Sequence, residues 1–343
     1  MFFNSTMVTK RVTYFDYLNV FSCISVIALH CNGVFHSYSQ DSPWVFSVLI
    51  EVLFYCAVPV FFMLSGATLF DYRKRYTTTE FYKKRIKKTL VPYVFFTVIF
   101  FILDIVIGFL KNGEFRFDFL TLLQMLMAGT APHADFWFFI PLFLLYLFIP
   151  FLSFIVTSIG KRELLSLLGI MAFFSGVYPI IAHFCGFQTT TTPISGFALY
   201  AFMGYCLHKY DFEKNNTILT LICILGLVTF ITRFFLFLKF PNGRVELLMS
   251  YFGLYAIIPS SAIFMLFKRF LCNRGGYVQK LSALSFGIFL IQETVIQTLR
   301  IVLSKTGMGE FFIQTVGIVI VYTVCCCIVY LVRKINLLKW MFP

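Results

Sequence analysis

The sequence predicts an all-α, polytopic membrane helix bundle of about ten transmembrane helices with both termini cytoplasmic, and three observations predict it. First, 59% of the 343 residues are hydrophobic and 20% aromatic, while only 13% are charged; a soluble domain carries roughly 25% charged residues. Second, ten apolar stretches match or approach the roughly 20 residues a bilayer-crossing helix needs. They are 12–35, 44–70, 89–110, 136–158, 163–184, 193–208, 217–238, 246–267, 282–303 and 311–332. Third, with the N-terminus inside, 21 of the 28 Lys and Arg fall in inner segments, six fall in or beside outer loops, and Arg233 lies within a span. That asymmetry is the mark of cytoplasmic loops.

Taken in order, the first span follows Lys10 and Arg11, and the second leads into residues 71–88, which hold eight basic residues. After the third span comes "FRFDFLTLLQMLMAG", residues 115–129, which reads as an amphipathic helix lying at the surface. The fourth span opens at the aromatic "FWFF", and the sixth is the shortest. Residues 1–343 read as a single integral membrane domain without repeats, and "MFFNSTMVTKR" lacks the pattern of a removable signal peptide.

Several functions are excluded at this level. The net charge of +13 follows the membrane topology rather than a nucleic-acid partner. The ten cysteines sit mostly inside apolar runs without paired metal spacing, so no metal site and no disulfide framework is expected. There is no phosphate-loop or dinucleotide glycine pattern, and no permanently bound cofactor is expected.

The apolar stretch "FDYLNVFSCISVIALHCNGVFH" carries Asp16, Asn19 and His30. At about 100° per residue, Asn19, Cys23 and His30 fall within about 60° of Asp16 on one helix face. Ionisable groups in a span usually face a bundle interior and mark function. Asp16 lies about 21 Å from His30 along the axis, which leaves Glu51, at similar depth in the second span, as the candidate carboxylate partner of His30. Asp104, Arg233, Glu293 and Arg300 are further ionisable groups in or beside spans. All but Glu293, which falls near mid-depth, lie in the outer half and suggest a polar cavity opening outward.

With these residues in view, the chain resembles the acyltransferase 3 family of multispan membrane proteins. "YFDYLNVFSCISVIALH" is similar to its opening motif, and "VPVFFMLSGATLF" (58–70) to its second-span signature. "FYKKRIKKTLVPY" (81–93) resembles its basic run before a third-span proline, and "FWFFIPLFLLYLFIP" (136–150) its aromatic segment. "LSALSFGIFLIQ" (281–292) is similar to the penultimate-span signature. Within the family the chain resembles compact members of the enterobacterial common antigen O-acetyltransferase type. Two positions depart from the pattern: Asn19 stands where an arginine is usual, and Gln292 where a histidine is usual.

The resemblance implies transfer of an acyl group, usually acetyl, from cytoplasmic acyl-CoA to a hydroxyl of an envelope carbohydrate, in the inner membrane of a bacterial cell. It implies His30 as the catalytic group; an unperturbed histidine, with a pKa near ~6.5, suits a general base. Lys84, Arg85 and Lys88 supply charge for the donor's phosphates, with Asn19 on the wall of its channel. Asp16, Ser65, Trp137, Arg233 and Arg300 are the candidate acceptor contacts. The same groups would also serve a transporter or flippase of an envelope precursor, or a relative that binds donor without turnover. The lipid bilayer is an expected partner in every case.

Overall fold

The computed structural model describes residues 11–36, 42–113, 117–131, 134–186, 196–240, 250–272, 276–305 and 309–343. Those residues form an all-helical bundle. The helices are α1 Thr13–Cys31, α2 Ser42–Phe54, α3 Ala57–Leu69, α4 Thr78–Asn112, α5 Phe119–Ala128 and α6 Phe139–Ser158. They continue with α7 Lys161–Cys185, α8 Ala198–Lys209, α9 Asn216–Lys239, α10 Leu254–Leu271, α11 Tyr277–Ser304 and α12 Glu310–Lys334. A two-stranded ladder, β1 Thr130–Ala131 against β2 Ala134–Asp135, joins α5 to α6 on the outer side.

Among the described residues nine helical stretches are long and apolar enough to cross a membrane, not ten. The difference is α8, the described part of the expected sixth span, whose twelve residues rise only about 18 Å. It is buried in protein from Leu199 to Cys206 and so has no lipid thickness to match. Its outer end is tied by the Tyr200 hydroxyl, which donates to the Tyr251 carbonyl. At its inner end the Tyr14 hydroxyl lies 2.7 Å from His208 Nδ1. The first residues of the sixth and eighth expected spans lie outside the described residues.

Local sequence explains the breaks within spans. Pro59 has no amide hydrogen to bond the carbonyl one turn back, and the second span is interrupted at Tyr55–Cys56, between α2 and α3. Wide π turns at Ile86–Leu90 and Phe173–Val177 immediately precede Pro92 and Pro179 for the same reason. The surface helix α5 is capped by Asp118, which accepts bonds from the amides of Leu120 and Thr121; with the Thr121 hydroxyl these hold its carboxyl below the usual range. Phe117, Phe119, Leu120, Leu123 and Met127 are exposed around it, as an interfacial helix requires.

At the inner end of α8, buried Lys268 of α10 gathers the carbonyls left open where a helix stops. Its Nζ donates to Leu207 O, His208 O and Tyr210 O at 2.9, 3.1 and 3.1 Å and pairs with Glu213 at 2.9 Å. Both side chains of that pair are at most 8% exposed. Lys268→Met, which strands the Glu213 charge, is expected to cost roughly 3–5 kcal/mol, read as a lower thermal aggregation midpoint in detergent. An unchanged midpoint would show that Lys268 is not what holds α8.

Candidate active site

The polar face of α1 packs along α11, and the two helices run parallel in constant register. Asn19 Nδ2 donates to Ser282 O and Oγ at 2.9 and 3.0 Å. One turn further, Cys23 Sγ approaches Ser285 O at 3.8 Å. Nearer the outer side, Gln292 Nε2 lies 3.1 Å from His30 Nδ1. Both positions that depart from the expected pattern, Asn19 and Gln292, therefore sit on this one seam and bond across it.

His30 is flanked by two carboxylates. Glu293 Oε2 lies 3.7 Å from Nδ1, and Asp135 Oδ2 of β2 lies 3.7 Å from Nε2. The His30 and Glu293 side chains are each 17% exposed, whereas Asp135 is 61% exposed. Gln292 Oε1 is buried without a hydrogen-bond partner among the described residues. A half-turn of that amide presents an acceptor to Nδ1 and satisfies the orphaned oxygen. With Glu293 on the same side, the proton then belongs on Nδ1 and the lone pair on Nε2, facing the outer mouth. One ligand atom from each of His30, Asp135 and Glu293 falls within 4.8 Å of the others, the single such trio among the described residues with the spacing of a metal site.

Glu51, expected to partner His30, does not do so. It is buried against Asn32, with which it hydrogen-bonds, and near Arg233. Asn32 follows His30 by two residues, which turns it about 200° around the helix, so the helix facing Asn32 is not the helix facing His30. The Asn32 amide also donates to Ser47 O at 2.9 Å and accepts from Ser47 Oγ and Gln314 Nε2 at 2.7 and 3.0 Å. Arg233 is 1% exposed, with its guanidinium 3.8 Å from the centre of the Tyr55 ring. Arg300 reaches the backbone of His30 and Cys31 at 3.5 Å each and Glu310 at 3.8 Å. Trp137 stacks on Tyr251, ring centres 5.7 Å apart.

Asp16 is the other displaced candidate. It forms a two-pronged pair with Arg11 at 2.8 and 2.5 Å at the inner end of α1, which fixes that end rather than opening to a ligand. Asn19 and Ser65, by contrast, line a cavity of about 330 Å³ between α1, α3, α6 and α11. Six of its thirteen lining residues are aromatic: Phe61, Phe138, Phe139, Tyr146, Phe286 and Phe289. Its outer limit, Phe289, lies one turn below Gln292 and hence below His30.

The inner surface near this cavity is basic. Arg85 lies 5.5 Å over the ring of Tyr146, a cavity residue, and Lys84 lies 3.8 Å over Tyr76. Lys87 and Lys88 are exposed. A shallow concavity of about 520 Å³ beside them is lined by Arg73, Lys74, Arg75 and Tyr76. A family profile described as an acyltransferase domain matches residues 12–332.

The chain belongs to the acyltransferase 3 family. It is a multi-pass membrane protein with an acyltransferase domain. No curated protein and no solved structure matches it. The matched region contains all three groups around the imidazole: Gln292, Glu293 and Asp135. Of these the sequence singled out Gln292 as a departure and Glu293 as an isolated ionisable group. Asp135 gave no signal beyond standing just outside the fourth span.

Proposed function

We propose that this protein is a membrane O-acyltransferase that moves an acyl group, acetyl in the first instance, from cytoplasmic acyl-CoA to a hydroxyl of an envelope carbohydrate, in a bacterial inner membrane. The observation that carries the reading is the His30 imidazole, backed by Glu293 and Gln292 on one nitrogen and turned outward on the other. In this reading the donor's phosphates dock on the basic inner surface at Arg73, Lys84, Arg85 and Lys88, and its slender arm enters the cavity past Asn19 and Ser65.

The acceptor hydroxyl approaches from the outer mouth beside Asp135. His30 Nε2 takes its proton as the oxygen attacks the thioester carbonyl, which forms the ester C–O bond. The C–S bond then breaks, and the thiolate leaves with the proton returned by the imidazolium. Glu293 stabilises the imidazolium between those steps and keeps Nδ1 protonated throughout. Such a positioned base supplies typically ~10²–10⁴-fold.

The test uses the purified full chain in liposomes, with labelled acetyl-CoA on the side of the 71–88 segment and an envelope glycan on the other. Base-labile label on the glycan, above that of empty liposomes, is expected. No label on the glycan from either orientation of the donor overturns the proposal.

A further inference from the structure

After α12 the chain does not leave the bundle but turns back into it. Residues 336–341 form successive turns, and Phe342 ends only 3% exposed. On one side its ring meets Phe96 of α4, centres 5.3 Å apart, while Trp340 packs on Phe95 at 4.9 Å. On the other side it lies against Gly287 of α11. A Cβ there would come within 2.9 Å of Phe342 Cδ1 and 2.7 Å of Val329 Cγ1, so only a bare backbone leaves room for the ring. Pro343, next along, lines the 330 Å³ cavity opposite Asn19 and Ser65.

We infer that Pro343 is part of the inner wall of the donor cavity and touches the donor's arm, and that the buried Phe342 beside it is the anchor that holds it there. The inference rests on the reading of that cavity as the donor's. Two properties fit such a wall. The Phe342 ring wedges between α4 and α11 and so fixes where Pro343 meets the cavity. Finally, the segment lies on the cytoplasmic side of the cavity, where the donor must pass before the thioester reaches His30.

Phe342→Ala removes the wedge and frees Pro343 from its place against the arm. It is expected to raise the KM for acetyl-CoA by about tenfold, in line with losing the arm's packing on one apolar side chain, with kcat and the acceptor KM within about threefold. Phe342→Leu, which refills most of the volume, is expected to restore most of the donor KM. An unchanged donor KM in Phe342→Ala that is monodisperse and inserted overturns the inference.

A second measurement does not depend on the wedge surviving mutation. With the exposed Cys185, Cys272 and Cys327 changed to serine, Pro343→Cys is expected to react with a maleimide, and saturating CoA to slow that reaction at least about fivefold. Failure to label, or labelling that CoA leaves unaffected while the protein still transfers acetyl, overturns the wall and leaves the acyltransferase reading standing. Absence of transfer in the unmodified protein sinks that reading instead.

Discussion

His30→Ala is expected to lower acetyl transfer by about 10²–10⁴-fold, the contribution of a positioned base, while the protein still inserts and binds donor. The ring is 17% exposed at the top of the α1–α11 seam, and its loss removes no buried charge pair. The two neighbouring carboxylates separate orientation from proximity. Asp135 is 61% exposed, so water screens its attraction for an imidazolium. Glu293, at 17%, is screened far less. Glu293→Gln is therefore expected to cost kcat about tenfold or more, whereas Asp135→Asn costs about threefold or less. Initial rates in membranes, normalised to inserted protein, read both. Equal rates for wild type and His30→Ala would remove His30 from the chemistry, and a larger loss in Asp135→Asn than in Glu293→Gln would reverse the assigned tautomer.

Why the sequence pointed to His30 but not to its partner follows from geometry. A helix has one period, so the face shared by Asn19, Cys23 and His30 is fixed by spacing alone. Which helix meets that face is a tertiary fact. Depth gives one coordinate only, and Glu51 and Glu293 both satisfy it. His30 is the eighteenth residue of α1 and Glu293 the seventeenth of α11, so both stand about 25 Å from their inner ends. The sequence placed Glu293 near mid-depth because the register of α11 in the membrane was not visible; its 28 residues exceed a perpendicular crossing. Azimuth then decides, and Asn32 rather than His30 faces α2.

The apolar spans were legible for a different reason. Lipid supplies no hydrogen bonds, so a lipid-facing chain must be helical over the full thickness. That constraint lapses where protein surrounds the segment, and α8 is the case: buried on its flanks, it is short, and length alone did not reveal it as complete. The cavity was legible only in part. Asn19 and Ser65 were named from motif positions, while the approach of Pro343 needs the chain's return after α12, which no periodicity marks.

The helix that length could not define is also the one whose packing tolerates least. α3 and α8 cross with backbones in contact, and each contributes one glycine. A Cβ on Gly66 would overlap the Ala201 carbonyl, and a Cβ on Gly204 would overlap the Met63 carbonyl. Neither clash is with a flexible side-chain end, so relief requires the helices to separate, and small residues at such crossings are what permit close approach in membranes. Separation would also move Ser65, one residue from Gly66, away from the cavity it lines with Asn19. Gly204→Val is expected to leave little monodisperse protein by size-exclusion in detergent, a loss well beyond the 1–3 kcal/mol (roughly) of ordinary overpacking. Gly108→Ala and Gly169→Ala, where an added Cβ meets nothing within 4 Å, are the controls and are expected to retain the wild-type yield, since alanine favours a helix by about 1 kcal/mol over glycine. Normal yield of Gly204→Val would mean that α3 and α8 lie farther apart than the backbone contact requires, and the wall that α3 gives the cavity would have to be redrawn.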